Sequence, residues 1–206
     1  MRPGDAAGPG AAPWVEVARL ERPAAPTSPT ASVVATHPST PEVPENLLRL
    51  SVTFSAPMEE GSASGHVHLE DAAGRYIDHA LLPMPPELWD RTRRRLTLLL
   101  EPGRIKRGLV PNTALGAPLA HTSEAALVVD AEVRDATGTV LVAAARRSYR
   151  VGPAVRTRVD PERWQVTWPA AGSQETLVVA FDRPLDHALA LRCLRIVTAG
   201  GQSVPG

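Results

Sequence analysis

The stretch Val52-Thr53-Phe54-Ser55-Ala56-Pro57-Met58-Glu59 returns as Val179-Ala180-Phe181-Asp182-Arg183-Pro184-Leu185-Asp186, 127 residues further on. The same offset, without a gap, carries Val67 onto Leu194, Leu69 onto Ile196 and Gly74 onto Gly201. Upstream, Val34-Ala35-Thr36-His37-Pro38 echoes Gln165-Val166-Thr167-Trp168-Pro169 after a small difference in length. Alternating apolar residues recur easily by chance. A shared Phe-x-x-Pro-[Met/Leu]-acid, followed by a shared strand and a shared glycine turn, does not. Such internal similarity marks a repeated structural unit, and overlooking it misassigns the whole fold.

Around this motif the period is two. Leu48, Leu50, Val52 and Phe54 alternate with Arg49, Ser51 and Thr53, as in a strand with one buried face. Pro57 cannot donate to a ladder, so that strand stops or kinks there, and Pro184 repeats the logic after Phe181. Val67 and Leu69 alternate with His66, His68 and Glu70 before the turn residues Asp71-Ala72-Ala73-Gly74. Leu96, Leu98 and Leu100 form a third row that ends at Glu101-Pro102-Gly103. Leu127, Val129, Ala131 and Val133 form a fourth, and Val140–Val151 one or two more. Short strands punctuated by turns predict an antiparallel β-sandwich over residues 32–152. The 21 prolines and 15 glycines also favour many short elements over long helices, and no helical stripe of core-facing length is visible. With only 4% aromatics, Phe54, Trp89, Trp164 and Phe181 carry a large share of the packing.

Residues 1–31 read as a disordered leader rich in Pro, Ala and Gly, with only Trp14–Leu20 as an apolar island. Arg2 is followed by Pro3-Gly4-Asp5 rather than by an apolar core, so the written start reads as lacking an export signal. Residues 153–206 supply only the first strands of a second unit. A half-sandwich leaves open edges and an uncovered apolar face. The expectation is therefore either a chain cut short or C-terminal strands that pair with another domain or protein; the first is favoured.

These motifs resemble the bacterial Ig-like domains first described in surface-layer proteins, which open with a strand ending in Phe-Ser-x-Pro-Met, here Phe54-Ser55-Ala56-Pro57-Met58. The family continues with a strand-turn-strand, here His66–Ile77, a strand like Arg95–Leu98, and a strand leading into Asp-x-x-Gly, here Asp135-Ala136-Thr137-Gly138. The resemblance covers 32–152 and the opening half of a second copy over 153–206. It implies an Ig-like fold, a non-enzymatic structural or spacer role, and a place outside the cytoplasm in an envelope or secreted protein. A start codon upstream of Met1 would reconcile that place with the missing signal.

Composition supports no strong alternative. The 22 basic and 22 acidic residues cancel, which removes any bulk attraction to nucleic acid or an anionic membrane. No apolar run is long enough to span a bilayer. One cysteine, Cys193, excludes an internal disulfide and a cysteine-built zinc site. Lys106 is the only lysine among the 22 basic residues, which reads as coding bias rather than a selected arginine surface. No Gly-x-Ser-x-Gly elbow, phosphate loop or Asp-x-Asp-x-Asp series is present, and neither catalysis nor a cofactor is expected.

Two constellations remain. His66, His68 and Glu70 share one strand face and are weak metal-ligand candidates, although a solvated face has the same pattern. Arg93, Arg95, Arg104, Lys106 and Arg107 flank the long 102–122 segment. They form a candidate patch for a glycan, a polyanion or a protein partner; arginines beside a leucine strand also protect an edge from aggregation.

Overall fold

The structure, a computed structural model, describes residues 28–185, 190 and 193–204. Residues 1–27 of the expected leader, together with Asp186, lie outside the described residues. Ala31, placed at the end of that leader by its sequence, is instead fully buried, and its carbonyl accepts a hydrogen bond from Val142 N. The folded unit therefore begins earlier than the composition implied.

In chain order the strands of the first unit are β1 (Val33–His37), β2 (Glu42–Pro44), β3 (Arg49–Phe54), β4 (Val67–Asp71), β5 (Leu88–Trp89), β6 (Arg95–Leu99), β7 (Glu124–Val129) and β8 (Ala145–Gly152). They form two four-stranded sheets, ordered β1-β3-β6-β5 and β2-β8-β7-β4. Leu50, Val52, Phe54 and Leu96 from the first sheet meet Val67, Leu69, Leu127, Val129 and Tyr149 from the second in one core. This is an all-β sandwich, built by alternating rows whose burial is worth about 1.5–3 kcal/mol per large side chain. Leu48 departs from its row: it lies one residue ahead of β3 and is 65% exposed.

β3 stops at Phe54, and the chain crosses to the second sheet through Pro57. The Pro57 carbonyl accepts from Ala136 N, while Met58, fully buried, bridges Asp135. Phe54 packs against Trp89 with ring centroids 5.7 Å apart, and Trp89 Nε1 donates to Glu87. Leu88 and Trp89 thus form a short edge strand.

Three features differ from the sequence expectation. β2 pairs with β8 in parallel, so the sandwich is not wholly antiparallel. β7 ends at Val129 rather than running through Val133; Asp135 then closes a turn in which its Oδ1 accepts from Thr137 N, Thr137 Oγ1 and Thr139 N. The 102–122 segment contains two short helices, α1 (Pro102–Ile105) and α2 (Val110–Leu115), each with a proline at its first or second position, and α2 is closed by Gly116 at φ 68°.

Among its described residues the second unit contains a 3-10 turn (Pro161–Arg163) and one antiparallel pair, β9 (Gln165–Thr167) with β10 (Val178–Ala180). Further on, the bridge Val197↔Ser203 stands 127 residues from the bridge Glu70↔Tyr76. The hydrogen bonds coincide as well. Asp71 N→Arg75 O, Gly74 N→Asp71 O and Ile77 N→Leu69 O correspond to Thr198 N→Gln202 O, Gly201 N→Thr198 O and Val204 N→Ile196 O. Gly74 and Gly201 take the left-handed conformation at φ 73° and 79°, which L-residues with a Cβ resist. The β9–β10 register places Val166, not Thr167, opposite Val179, whereas Thr36 lies opposite Val52. The upstream correspondence is thus displaced by one residue from the one read in the sequence.

Candidate functional surface

β4 and β8 are separated only by β7, whose register aligns His68 with Val128 and Arg146, and Glu70 with Ala126 and Ser148. The small Ala126 leaves room for the long Arg146 side chain to reach diagonally over β7 to Glu70, where the two form an ion pair. His68 Nε2 lies 3.3 Å from the other Glu70 oxygen and its ring stacks on Tyr76 at 5.1 Å. The Arg146 hydrogen bond, opposed by partial burial and aided by His68, holds the Glu70 carboxyl below the usual value. A carboxylate already satisfied by a guanidinium is a poor metal ligand, since the cation must first be displaced.

His66 lies outside this network. It precedes β4 and approaches Asp130, Nδ1 to Oδ2 3.7 Å, while its carbonyl accepts from Asp130 N. His66, Asp130 and Glu132 each offer a ligand atom within 4.8 Å of the others, the only such group among the described residues. The structure therefore separates His66 from His68 and Glu70, which the strand period had grouped. Cross-strand neighbours, unknown without the register, choose the partners. Three partly exposed donors fall short of the four of a closed zinc site and the six to eight oxygens of calcium.

The basic candidates are also divided. Arg93 (exposed, φ 54°) and Arg95 sit at the start of β6, where the Asp90 carboxylate accepts from the Arg95 amide. Lys106 and Arg107 follow α1, past the other end of that five-residue strand. Arg104 is not a surface residue at all: it is 6% exposed. Its guanidinium donates to the carbonyls of Asp78, His79, Leu115, Gly116 and Ala117, and so ties both short helices to the 78–79 turn. Burial lowers its pKa, countered by the nearby Glu101 charge. Planar fork geometry suits this task, which the compact ammonium of lysine could not perform.

Lys106 and Arg107 are exposed beside an unusual neighbour. α2 buries none of its residues, and Leu109, Val110 and Leu115 are all exposed. Lys106, Arg107 and these three apolar side chains thus form an exposed knob of mixed charged and apolar character, which residue charge alone did not reveal. An open groove of about 380 Å³ lies nearby between Tyr76, Ile77, Pro118 and His121. Cys193 is exposed and helical rather than extended. Among the structural candidates, Phe181 is half-buried against Trp164, ring centroids 4.9 Å apart, and Pro184 is exposed.

No protein-family model and no curated protein matches this chain. Among solved structures it is similar to native alpha-2-macroglobulin from Escherichia coli, spanning domains MG0-NIE-MG1, at 15% identity and a TM-score of 0.36. That match covers 61% of this chain and 32% of the macroglobulin chain, so this chain spans about a third of it. It is also similar to CopC from Methylosinus trichosporium OB3b at 14% identity and a TM-score of 0.38, covering 63% of this chain and all of that one. Among the described residues no helix is long and apolar enough to cross a membrane.

Proposed function

We propose that this chain is a non-enzymatic structural or spacer element, built from Ig-like modules of the surface-layer type and placed in a secreted or cell-envelope protein. The observation that carries the reading is the use made of its inward polar groups. Among the described residues, the buried charged residues Arg104 and Asp135 are both consumed by hydrogen bonds, Arg104 to the 78–79 turn and the end of α2, and Asp135 within its own turn. Groups engaged in this way stiffen a scaffold; they are not held in reserve for a substrate. The shared hairpin at 71–77 and 198–204 supports a tandem of one module, the arrangement a spacer requires.

A second reading, a binding module for a glycan, polyanion or protein, is favoured by the exposed Lys106, Arg107 and α2 knob. Removing the whole 102–122 segment would also remove buried Leu119 and Arg104, so the useful test is confined to the surface. Lys106→Glu/Arg107→Glu/Val110→Asp is compared with the unaltered chain for retention on heparin and on polysaccharide arrays. A spacer shows no specific retention in either form, whereas a binder shows retention that the triple variant loses. Fractionation of the native protein tests the location, with recovery from the cytoplasm contradicting it.

A further inference from the structure

The hairpin at 71–77 carries side chains that its own turn does not need. In the second unit the same backbone bonds stand with Thr198, Gln202 and Ser203 where the first has Asp71, Arg75 and Tyr76. Thr198 Oγ1 accepts from Gln202 N as Asp71 Oδ1 accepts from Arg75 N, so a hydroxyl closes the turn as well as a carboxylate does. The second Asp71 oxygen, the Arg75 guanidinium and the Tyr76 ring are thus spare. Asp71, Arg75 and Tyr76 all line the groove of about 380 Å³.

The two walls of that groove are fixed to each other. The buried Arg104 guanidinium donates to the Asp78 and His79 carbonyls on one wall and to those of Leu115, Gly116 and Ala117, just ahead of Pro118, on the other. Elsewhere Ala72 N donates to Thr122 Oγ1 across the same gap. A groove with walls held in this way loses little freedom on binding, and its volume lies within the roughly 300–1,000 Å³ of small-molecule sites.

Three kinds of group face a ligand there. Tyr76, 60% exposed, stacks one ring face on His68 at 5.1 Å, which leaves the other face open. Arg75 Nε and Nη2 donate to Asp71 Oδ2 at 2.9 and 2.8 Å, so the guanidinium is aimed while its Nη1 donors stay free. The exposed Asp78 carboxylate has no partner among the described residues. Asp71 and Arg75 cancel, and the groove keeps one net negative charge, which disfavours a phosphate or carboxylate ligand.

We propose that this groove binds a neutral pyranose unit of a glycan. The C–H face of the sugar lies on the open face of Tyr76, whose negative π surface attracts polarised C–H groups. Asp78 accepts from ring hydroxyls and Arg75 donates to another, both as charge-assisted hydrogen bonds. This goes beyond the spacer reading and does not use the knob, since Lys106, Arg107 and Val110 take no part. One open groove without avidity supports a Kd of about 1 mM, too weak to retain the chain on an array.

The test titrates the full chain with methyl glucoside, methyl galactoside and methyl mannoside, read by saturation-transfer NMR and by the amide shifts of 75–78 and 119–122. The expected result is saturable binding of at least one glycoside, with shifts centred on those amides. Glucuronate and inorganic phosphate should bind at least about threefold more weakly. Tyr76→Ala and Asp78→Asn should each weaken binding about tenfold, while Tyr76→Phe, which keeps the ring, should stay within about threefold. Lys106→Glu/Arg107→Glu/Val110→Asp should bind as the parent does. Thermal melts of Tyr76→Phe and Asp78→Asn should match the parent, because both side chains are exposed. No saturable binding of any of the three glycosides, tighter binding of glucuronate or phosphate, or full affinity in Asp78→Asn would overturn the proposal. Binding lost in the triple variant but kept in Tyr76→Ala and Asp78→Asn would overturn it in favour of the knob.

Discussion

β3 and β10 carry the same inward row, yet their fates differ: Phe54 is 1% exposed in a two-sheet core, and Phe181 is half-buried against one tryptophan. The strand pattern is identical in kind, so the difference lies wholly in what covers it. Apolar alternation specifies a face but does not bury it. Burial requires a second sheet, here supplied by β4, β7 and β8.

That contrast can be tested most forcefully by truncating the two phenylalanines. Phe54→Ala should cost about 3–5 kcal/mol of unfolding free energy, the range for emptying a well-packed aromatic site. Phe181→Ala should cost well under half as much, because its neighbours are already open to water. Denaturant unfolding of each variant checks this, and equal losses would break the comparison.

A second comparison sets Arg104 against Arg107, three residues apart. Arg104→Met should destabilise by about 2–3 kcal/mol, since the carbonyls of the 78–79 turn and the end of α2 lose their donor, and Arg104→Lys should not recover it. Arg107→Ala should stay within about 0.5 kcal/mol. Thermal melts distinguish them, and an Arg104 variant as stable as the Arg107 one would refute the tie between helices and turn.

Asp135 sharpens the account at acid pH. Burial opposes its ionisation, but hydrogen bonds from Thr137, Thr139 and Gly138 outweigh burial and hold the carboxyl below the ordinary aspartate value. A group depressed on folding contributes stability that is present above its unfolded pKa, about 3.9, and is lost as pH falls through the folded value. Asp135→Asn should therefore cost about 1–2 kcal/mol at neutral pH, and the variant should lose less stability than the parent below about pH 4. A parallel acid profile in the two proteins would contradict this. Modest effects belong to the paired turns: Gly74→Ala and Gly201→Ala should each cost about 1 kcal/mol of local stability, from the positive φ they share.

The row-forming strands were legible because alternation over five or six residues is a strong signal, and β3, β4 and β6 fall where Leu50, Leu69 and Leu96 put them. β2 was not, since Glu42-Val43-Pro44 is too short to show a period and its parallel pairing depends on β8, about a hundred residues away. The helices escaped for the same reason. α1 and α2 span four and six residues, under two turns, although Pro102, Pro111 and Gly116 marked their ends. The candidate sites failed where partners come from other strands. Nothing in His68-Leu69-Glu70 foretells Arg146, and nothing in Gly103-Arg104-Ile105 foretells that Arg104 turns inward to backbone carbonyls.

Hydrogen exchange resolved to single amides compares the two units most directly. Asp71 and Ile77 should be strongly protected. Thr198 and Val204 should show the same pattern of bonded amides with protection lower by orders of magnitude, because the face behind them is open. No protection at Thr198 and Val204, or protection equal to that of the first unit, would contradict the claim that one module is present twice, once with its apolar face closed and once with it exposed.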